Sequence, residues 1–290
     1  MMKRIIAAIG LSGALAVSSG ARGQEASAAN PLEVPAGDVG ASASLMLEHP
    51  LQRYSVAIEP MIWAPGLRGD VGLVNSSVID VEVVNADETQ IAPAGRATLK
   101  VEKWMFQFRG FGFSVDEEAG AERGFNLDGG AVAAGERVRT EFDLYSFDLT
   151  LAYELPAVID NPEDEVRLAF DVFGGARLTS FDGTIASVGG GASASGDEAW
   201  GMAIGGARMK LDLPHRLGLN VSVDIGGFPG TESAFTWDIT VSFFWMAVEN
   251  VGLEIGFRHL RSDLQSGDGP NDLVFDAAIA GLFGAVVIRF

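Results

Sequence analysis

Apolar and polar residues alternate without a break over much of the last quarter of this chain. Val251, Leu253, Ile255 and Phe257 interleave with Gly252, Glu254, Gly256 and Arg258, and Leu217, Leu219, Val221, Val223 and Ile225 interleave with Gly218, Asn220, Ser222, Asp224 and Gly226. A period of two places one set on each face of a β-strand. The same reading applies upstream: Trp104, Phe106 and Phe108 oppose Gln107 and Arg109, and Tyr145, Phe147, Leu149, Leu151 and Tyr153 oppose Ser146, Asp148, Thr150 and Glu154. The pattern predicts strands over about 54–63, 92–101, 104–115, 141–155, 165–181, 199–213, 216–228, 234–247, 251–263 and 275–290. That count is ten. Eight and twelve stay open, because 65–91 and the second strand are weakly patterned.

The connections between these strands sort by length. Those at 65–91, 116–140, 182–198, 229–233 and 264–274 are mostly long, and those at 102–103, 156–164, 214–215 and 248–250 are mostly short. Outer-membrane barrels have short periplasmic turns and longer outer loops. The fold class this implies is all-β: a transmembrane antiparallel up-and-down β-barrel, of ten strands on this count, apolar face to lipid and polar face to the lumen. A soluble periplasmic β-protein is the alternative, with no reason to sort its loops in this way.

The amino terminus fits that reading. Lys3 and Arg4 precede an apolar run from Ile5 to Val17, too short for a membrane helix, and small residues follow. Residues 1–23 read as a signal peptide cut after Ala21 or Gly23, with Ala28 a further option. Residues 24–52, spaced by Pro31, Pro35 and Pro50, read as a flexible periplasmic segment, and 53–290 as the barrel domain. There is no cysteine, which excludes a lipid-anchored lipoprotein and a disulfide framework.

The formal net charge is −19, which argues against nucleic acid as a partner. With 48% hydrophobic residues the chain is not of disordered composition, so its acids must be concentrated in particular places. They fall in the long connections: Asp70, Asp80, Glu82, Asp87 and Glu88, then Asp116, Glu117, Glu118, Glu122, Asp128 and Glu136. Acidic outer loops serve solvation, or bind divalent cations that bridge them to lipopolysaccharide.

Parity assigns a lumen-facing polar network of Glu59, Arg109, Asp148, Glu154, Arg167 and Asp171, continued by Arg177, Asp224, Asp238, Glu254, Arg258 and Arg289. Both signs are interleaved, which suits paired filling of a small barrel. A selective pore is the second reading. Gly174, Gly205, Gly226, Gly256 and Gly281 would either leave room or let large neighbours pack. Trp63, Trp104, Tyr153, Trp200, Trp237 and Trp245 read as interface girdles. For catalysis, only His259 falls near the outer rim, followed by Ser262 and Asp263, and its parity with Phe257 turns it from the lumen. No histidine pair has metal-ligand spacing. The expectation is no catalytic residue, no cofactor and no metal.

The second half, residues 165–290, carries in order Gly174-Gly175-Ala176-Arg177, Gly205-Gly206-Ala207-Arg208, Asp224-Ile225-Gly226-Gly227-Phe228, Thr236-Trp237, Gly256-Phe257-Arg258 and Ile288-Arg289-Phe290. In these motifs it resembles a family of small, largely uncharacterised Gram-negative outer-membrane β-barrel proteins of the porin-like superfamily. Family members often carry Tyr where this chain has Phe257. The resemblance implies an outer-membrane barrel and no agreed activity. Phe290, with apolar residues at alternate positions before it, looks like the signal read by the outer-membrane barrel assembly machinery. The expected function is a structural or binding role in the outer membrane without catalysis. The alternatives are a narrow porin-like diffusion channel and, third, a rim enzyme. Partners would be outer-membrane lipid and lipopolysaccharide.

Overall fold

The computed structural model describes residues 54–228, 234–267, 269 and 272–290. The segments read as signal peptide and lead-in, and the short connection around Pro229-Gly230, lie outside the described residues.

Ten long strands follow one another: β1 (Tyr54–Gly72), β2 (Ala92–Val101), β3 (Trp104–Gly120), β4 (Arg137–Glu154), β5 (Val166–Ser187), β6 (Ser193–Leu213), β7 (Leu217–Phe228), β8 (Ala234–Met246), β9 (Val251–Gln265) and β10 (Val274–Arg289). Each pairs antiparallel with the next, and β10 returns to β1, with Trp63 opposite Phe283 and Val71 opposite Phe275. The Phe290 amide also donates to the Val56 carbonyl at 2.9 Å. The sheet is therefore a closed antiparallel ten-stranded β-barrel, in which ring closure satisfies the backbone of the first and last strands.

One end of the barrel, the turn end, carries the connections at 102–103, 155–165, 214–216 and 247–250. The other, the loop end, carries 73–91, 121–136 and 188–192 among the fully described connections. Two of the loop-end connections have structure of their own. Ile79–Asp80 pairs with β1 and leads into a 3₁₀ turn, Val81–Val84, whose Glu82 amide donates to the Asp80 carboxylate. Phe125–Leu127 forms a hairpin with Gly130–Val132.

Near the loop end the strands run further than their sequence pattern predicts. β1 continues to Gly72, β3 to Gly120 and β5 to Ser187, while β4 begins at Arg137 and β6 at Ser193. Part of what reads as long acidic loop is strand, and the reason is a reversal of polarity along several of the strands. In β4 the outward face runs Arg137, Arg139, Glu141, Asp143 and then Tyr145, Phe147, Leu149, Leu151, Tyr153. Its inward face runs Val138, Thr140, Phe142, Leu144 and then Ser146, Asp148, Thr150, Ala152, Glu154. The period of two is unbroken, but its sign changes between Leu144 and Ser146. β9 reverses in the same way: Phe257 is the last apolar residue on its outward face before His259, Arg261 and Asp263, and Leu260 and Leu264 follow Arg258 inside.

Two media account for this. An outward face of Leu and Phe suits hydrocarbon, and an outward face of Arg, Glu and Asp suits water. The apolar outward stretch of β4 from Tyr145 to Tyr153 spans eight steps, roughly 20 Å along the barrel axis after strand tilt, close to the ~25 Å band of membrane barrels. Beyond it the outward face is charged and the interior is a dry apolar core.

That core corrects the expectation of a polar lumen along the whole barrel. In the loop half the interior is filled by Phe113, Phe142, Phe181, Phe275, Leu67 and Leu264, with the loop-end Leu73 and Val81 against them. Trp63 and Trp200 belong to it as well. Read from the sequence as girdle residues, they are instead 1% and 2% exposed, and their indole N–H groups donate to the carbonyls of Gly281 (3.2 Å) and Gln265 (3.3 Å). Parity decides the matter: Trp63 follows outward-facing Ile62, so it points in. Trp104 and Trp245 do face outward.

Candidate functional site

The inner wall has two further layers between this core and the turn end. The first is an ionic belt at mid-height, built by one side chain from each of six strands: Arg109, Asp148, Arg177, Asp224, Asp238 and Arg258. Arg177 is its centre. Its Nε donates to Asp148 (2.7 Å), its Nη2 to Asp224 (3.0 Å) and its Nη1 to the Thr236 hydroxyl (3.0 Å). Arg109 lies 2.6 Å from Asp148 and 3.1 Å from Asp238, and Arg258 lies 2.7 Å from Asp238. Three guanidinium groups thus face three carboxylates, a neutral set in which each buried charge has a hydrogen-bonded counter-charge. Arg258 joins the belt to the dry core: its guanidinium sits 4.9 Å from the Phe111 ring centroid and 5.3 Å from that of Trp63.

The second layer occupies the turn half. Arg96 bridges Glu59 and Glu254. Glu154 accepts from Lys100 (3.0 Å) and Arg167 (2.5 Å), and Asp171 lies 2.7 Å from Lys210. Arg208 donates to the Gln107 carbonyl oxygen at 3.0 Å and stands over the Phe173 ring. Arg289 closes the layer on β10. All of these but Asp171 and Phe173 line a cavity of about 120 Å³, whose wall also includes Asp212 of β6, Asn220 and Ser222 of β7, Thr240 and Ser242 of β8, and Arg109 of the belt. At ten to fifteen Å³ for a single water, that is room for roughly ten.

Every residue assigned to the lumen network lies on the inner face of its strand, six in the belt and the others (Glu59, Glu154, Arg167, Asp171, Glu254 and Arg289) around the cavity or against it. Sequence reasoning missed Arg96, Lys100, Arg208, Lys210 and Asp212. For the last three the signal was present, since they alternate with Ala207, Met209 and Leu211. Arg96 and Lys100 alternate with Pro93, Gly95, Ala97 and Leu99, where the apolar face is too small to show as one. Gly174 and Gly205 lie on the outward parity of their strands and correct that reading, whereas Gly226, Gly256 and Gly281 are inner and closely packed: a side chain at Gly256 would meet the Phe283 ring at 2.6 Å.

Outside the wall, His259 stacks on Trp237 at 4.6 Å with planes 13° apart. Ser262 is 2% exposed and on the inner face of β9, whereas His259 and Asp263 are on the outer, so these three do not converge. Carboxylates line up across the water-facing sheet, with Asp143, Asp182 and Asp197 in one register row and Asp263, Asp276, Asp70 and Asp80 in another. Arg261 pairs with Asp276 in the second. Among the described residues no group of three or more His, Cys, Asp or Glu is disposed to hold a metal ion. In the loop after the hairpin, hydrogen bonds from the Ser187 hydroxyl and the Ala133 amide hold the Glu136 carboxyl below the usual carboxylate range.

No family model matches this sequence, and no curated protein matches it. Among solved structures the chain is similar to the outer-membrane protease OmpT from Escherichia coli (9% identity, TM-score 0.44, covering 81% of this chain and 97% of that one). It is similar also to neisserial surface protein A (12%, 0.33, 82% and 98%) and to the Pseudomonas putida toluene transporter TodX (8%, 0.27, 82% and 90%). A protease, a surface protein and a transporter on one kind of barrel say nothing about what this chain does.

Proposed function

We propose that this protein is a bacterial outer-membrane β-barrel with a structural or binding role and no catalysis, its turn end in the periplasm and its loop end outside. The observation that carries this is the filling of the interior. A dry core occupies the loop half and a neutral ionic belt the middle, so water in the turn-end cavity has no polar path to the other side. The outward apolar band supports membrane residence, and the parity of Phe290, 64% exposed beside Leu282 and Val286, supports its being read by the assembly machinery. The opposed faces of His259 and Ser262 support the absence of catalysis. Lipid would contact the band, and the acidic rows at the loop end would meet lipopolysaccharide through divalent cations.

The charge-lined cavity favours the narrow-channel reading as the second. Planar-bilayer recording of the purified full chain separates the two. The expected result is a silent membrane with heat-modifiable barrel inserted; stable unitary steps from the wild type would overturn the closed reading in favour of the channel.

A further inference from the structure

Around the turn-end cavity every acid has a cation within ion-pair distance, while Arg208 shares its acid with Lys210 and Arg289 has none within that distance among the described residues. Glu59 and Glu254 share Arg96, Glu154 holds Lys100 and Arg167, Asp212 faces Arg167 at 3.9 Å, and Asp171 holds Lys210. Arg208 comes only to 3.7 Å from Asp171, and its hydrogen bonds go to the neutral Gln107 and to the Met105 sulfur. Arg289 makes no side-chain ion pair or hydrogen bond with any described residue, yet it lines the cavity. Arg208 thus shares one carboxylate with Lys210, and Arg289, in the field of Glu59, Asp212 and Glu254, hydrogen-bonds none of them, so these two guanidinium groups keep hydrogen-bonding capacity to spare.

β6 and β10, which carry Arg208 and Arg289, stand on opposite sides of the ring of ten. The wall between them is made by β7 and β8, with Asn220, Ser222 and Ser242, whose side chains make no hydrogen bond with described residues, and by β9, whose Glu254 is bound to Arg96. Two guanidinium forks, an amide and two hydroxyls therefore share a space large enough for a small ion and its water. Guanidinium groups match the oxygen geometry of phosphate and carboxylate, and charge-assisted hydrogen bonds to such oxygens are the strong ones. We infer that the turn-end cavity is a binding site for a small oxyanion of about the size of phosphate, held by Arg208 and Arg289 and oriented by Asn220, Ser222 and Ser242. This rests on the proposed function only in treating the barrel as a binding protein. It holds whether or not the barrel conducts.

The test is calorimetric titration of inorganic phosphate into the detergent-solubilised, heat-modifiable full chain at low ionic strength, with sodium chloride of matched ionic strength as reference. The expected result is saturable binding of one phosphate, weakened about tenfold by Arg208→Gln and by Arg289→Gln, and unchanged by Arg139→Gln on the outer surface. Asn220→Leu, which removes no charge, should weaken it several-fold and serves if an arginine variant does not fold. A folded wild type that takes up no phosphate overturns the inference, as does binding that Arg208→Gln, Arg289→Gln and Asn220→Leu all leave intact. A barrel that conducts and binds phosphate would sink the closed reading alone; one that is silent and binds none would sink this inference alone.

Discussion

The two halves of this barrel are inside-out versions of each other. In the loop half Phe142 and Phe181 face in and Glu141 and Asp143 face out; in the turn half Glu154 and Arg96 face in and Leu149 and Leu253 face out. The same strands, with the same period of two, build both. What changes is the medium against the outer face. Where that medium is water, hydrophobic burial fills the interior. Where it is hydrocarbon, apolar residues gain nothing by turning inward, and the lumen is left to side chains that must satisfy one another by charge and hydrogen bond. The belt of Arg109, Arg177 and Arg258 sits at the change-over, with Arg258 touching aromatic rings on one side and Asp238 on the other.

The comparison is broken hardest at the belt. Arg177→Met leaves three carboxylates facing only the guanidinium groups of Arg109 and Arg258 in a space closed to water, and one uncompensated buried ion costs about 3–5 kcal/mol. Urea unfolding of the barrel in lipid vesicles should show a loss of that size. A change below about 1 kcal/mol would mean that the belt is hydrated and that the halves are not sealed from one another.

Next comes the outer face. Leu253 is half-exposed in the band and Glu254, its neighbour, is 2% exposed and bound to Arg96. Leu253→Arg should oppose membrane insertion by about 2–4 kcal/mol if near the midplane, and Glu254→Gln by less, while loosening Arg96. Fractionating both variants between inserted and aggregated material checks the order. The reverse order would overturn the division of faces on which the comparison stands.

The smallest equilibrium effect is expected at the carboxyl end. The Phe290 backbone pairs with Val56, but its ring is largely exposed, so Phe290→Ser keeps the hydrogen bonds and loses at most the burial of one ring, ~1.5–3 kcal/mol. The expected outcome is a lower yield of heat-modifiable barrel in outer-membrane fractions, with near-normal melting of what assembles. Equal yield at low expression would remove the assembly role and leave Phe290 an ordinary end residue.

Ten strands were legible in the sequence, the second only weakly, because outward positions such as Phe147, Leu149 and Leu253 are large, apolar and evenly spaced, whereas those of β2 are small. The loop-end extensions were not, because Leu67, Val138 and Ile185 stand on the parity that the membrane reading reserves for polar groups. A long acidic loop and a strand with its acids outward have the same composition; only the phase of Arg137, Arg139, Glu141 and Asp143 against their neighbours tells them apart. The belt was legible one residue at a time, as parity, but not as a set, since Arg177 and Asp224 are brought together by ring closure. The cavity's basic wall was half hidden for a different reason: the outward partners of Arg96 and Lys100 are too small to frame them.

The reversal along the strands also divides the heat capacity of the molecule. When a membrane barrel unfolds within its bilayer, the outward Leu and Phe of the turn half can stay in hydrocarbon, and their transfer adds little to ΔCp. The Phe, Leu and Val packed inside the loop half pass from a dry interior to water, which is the process that gives unfolding its large positive ΔCp. The curvature of stability with temperature should therefore belong almost wholly to the half that stands clear of the membrane, and cooling should weaken the rim before it weakens the band.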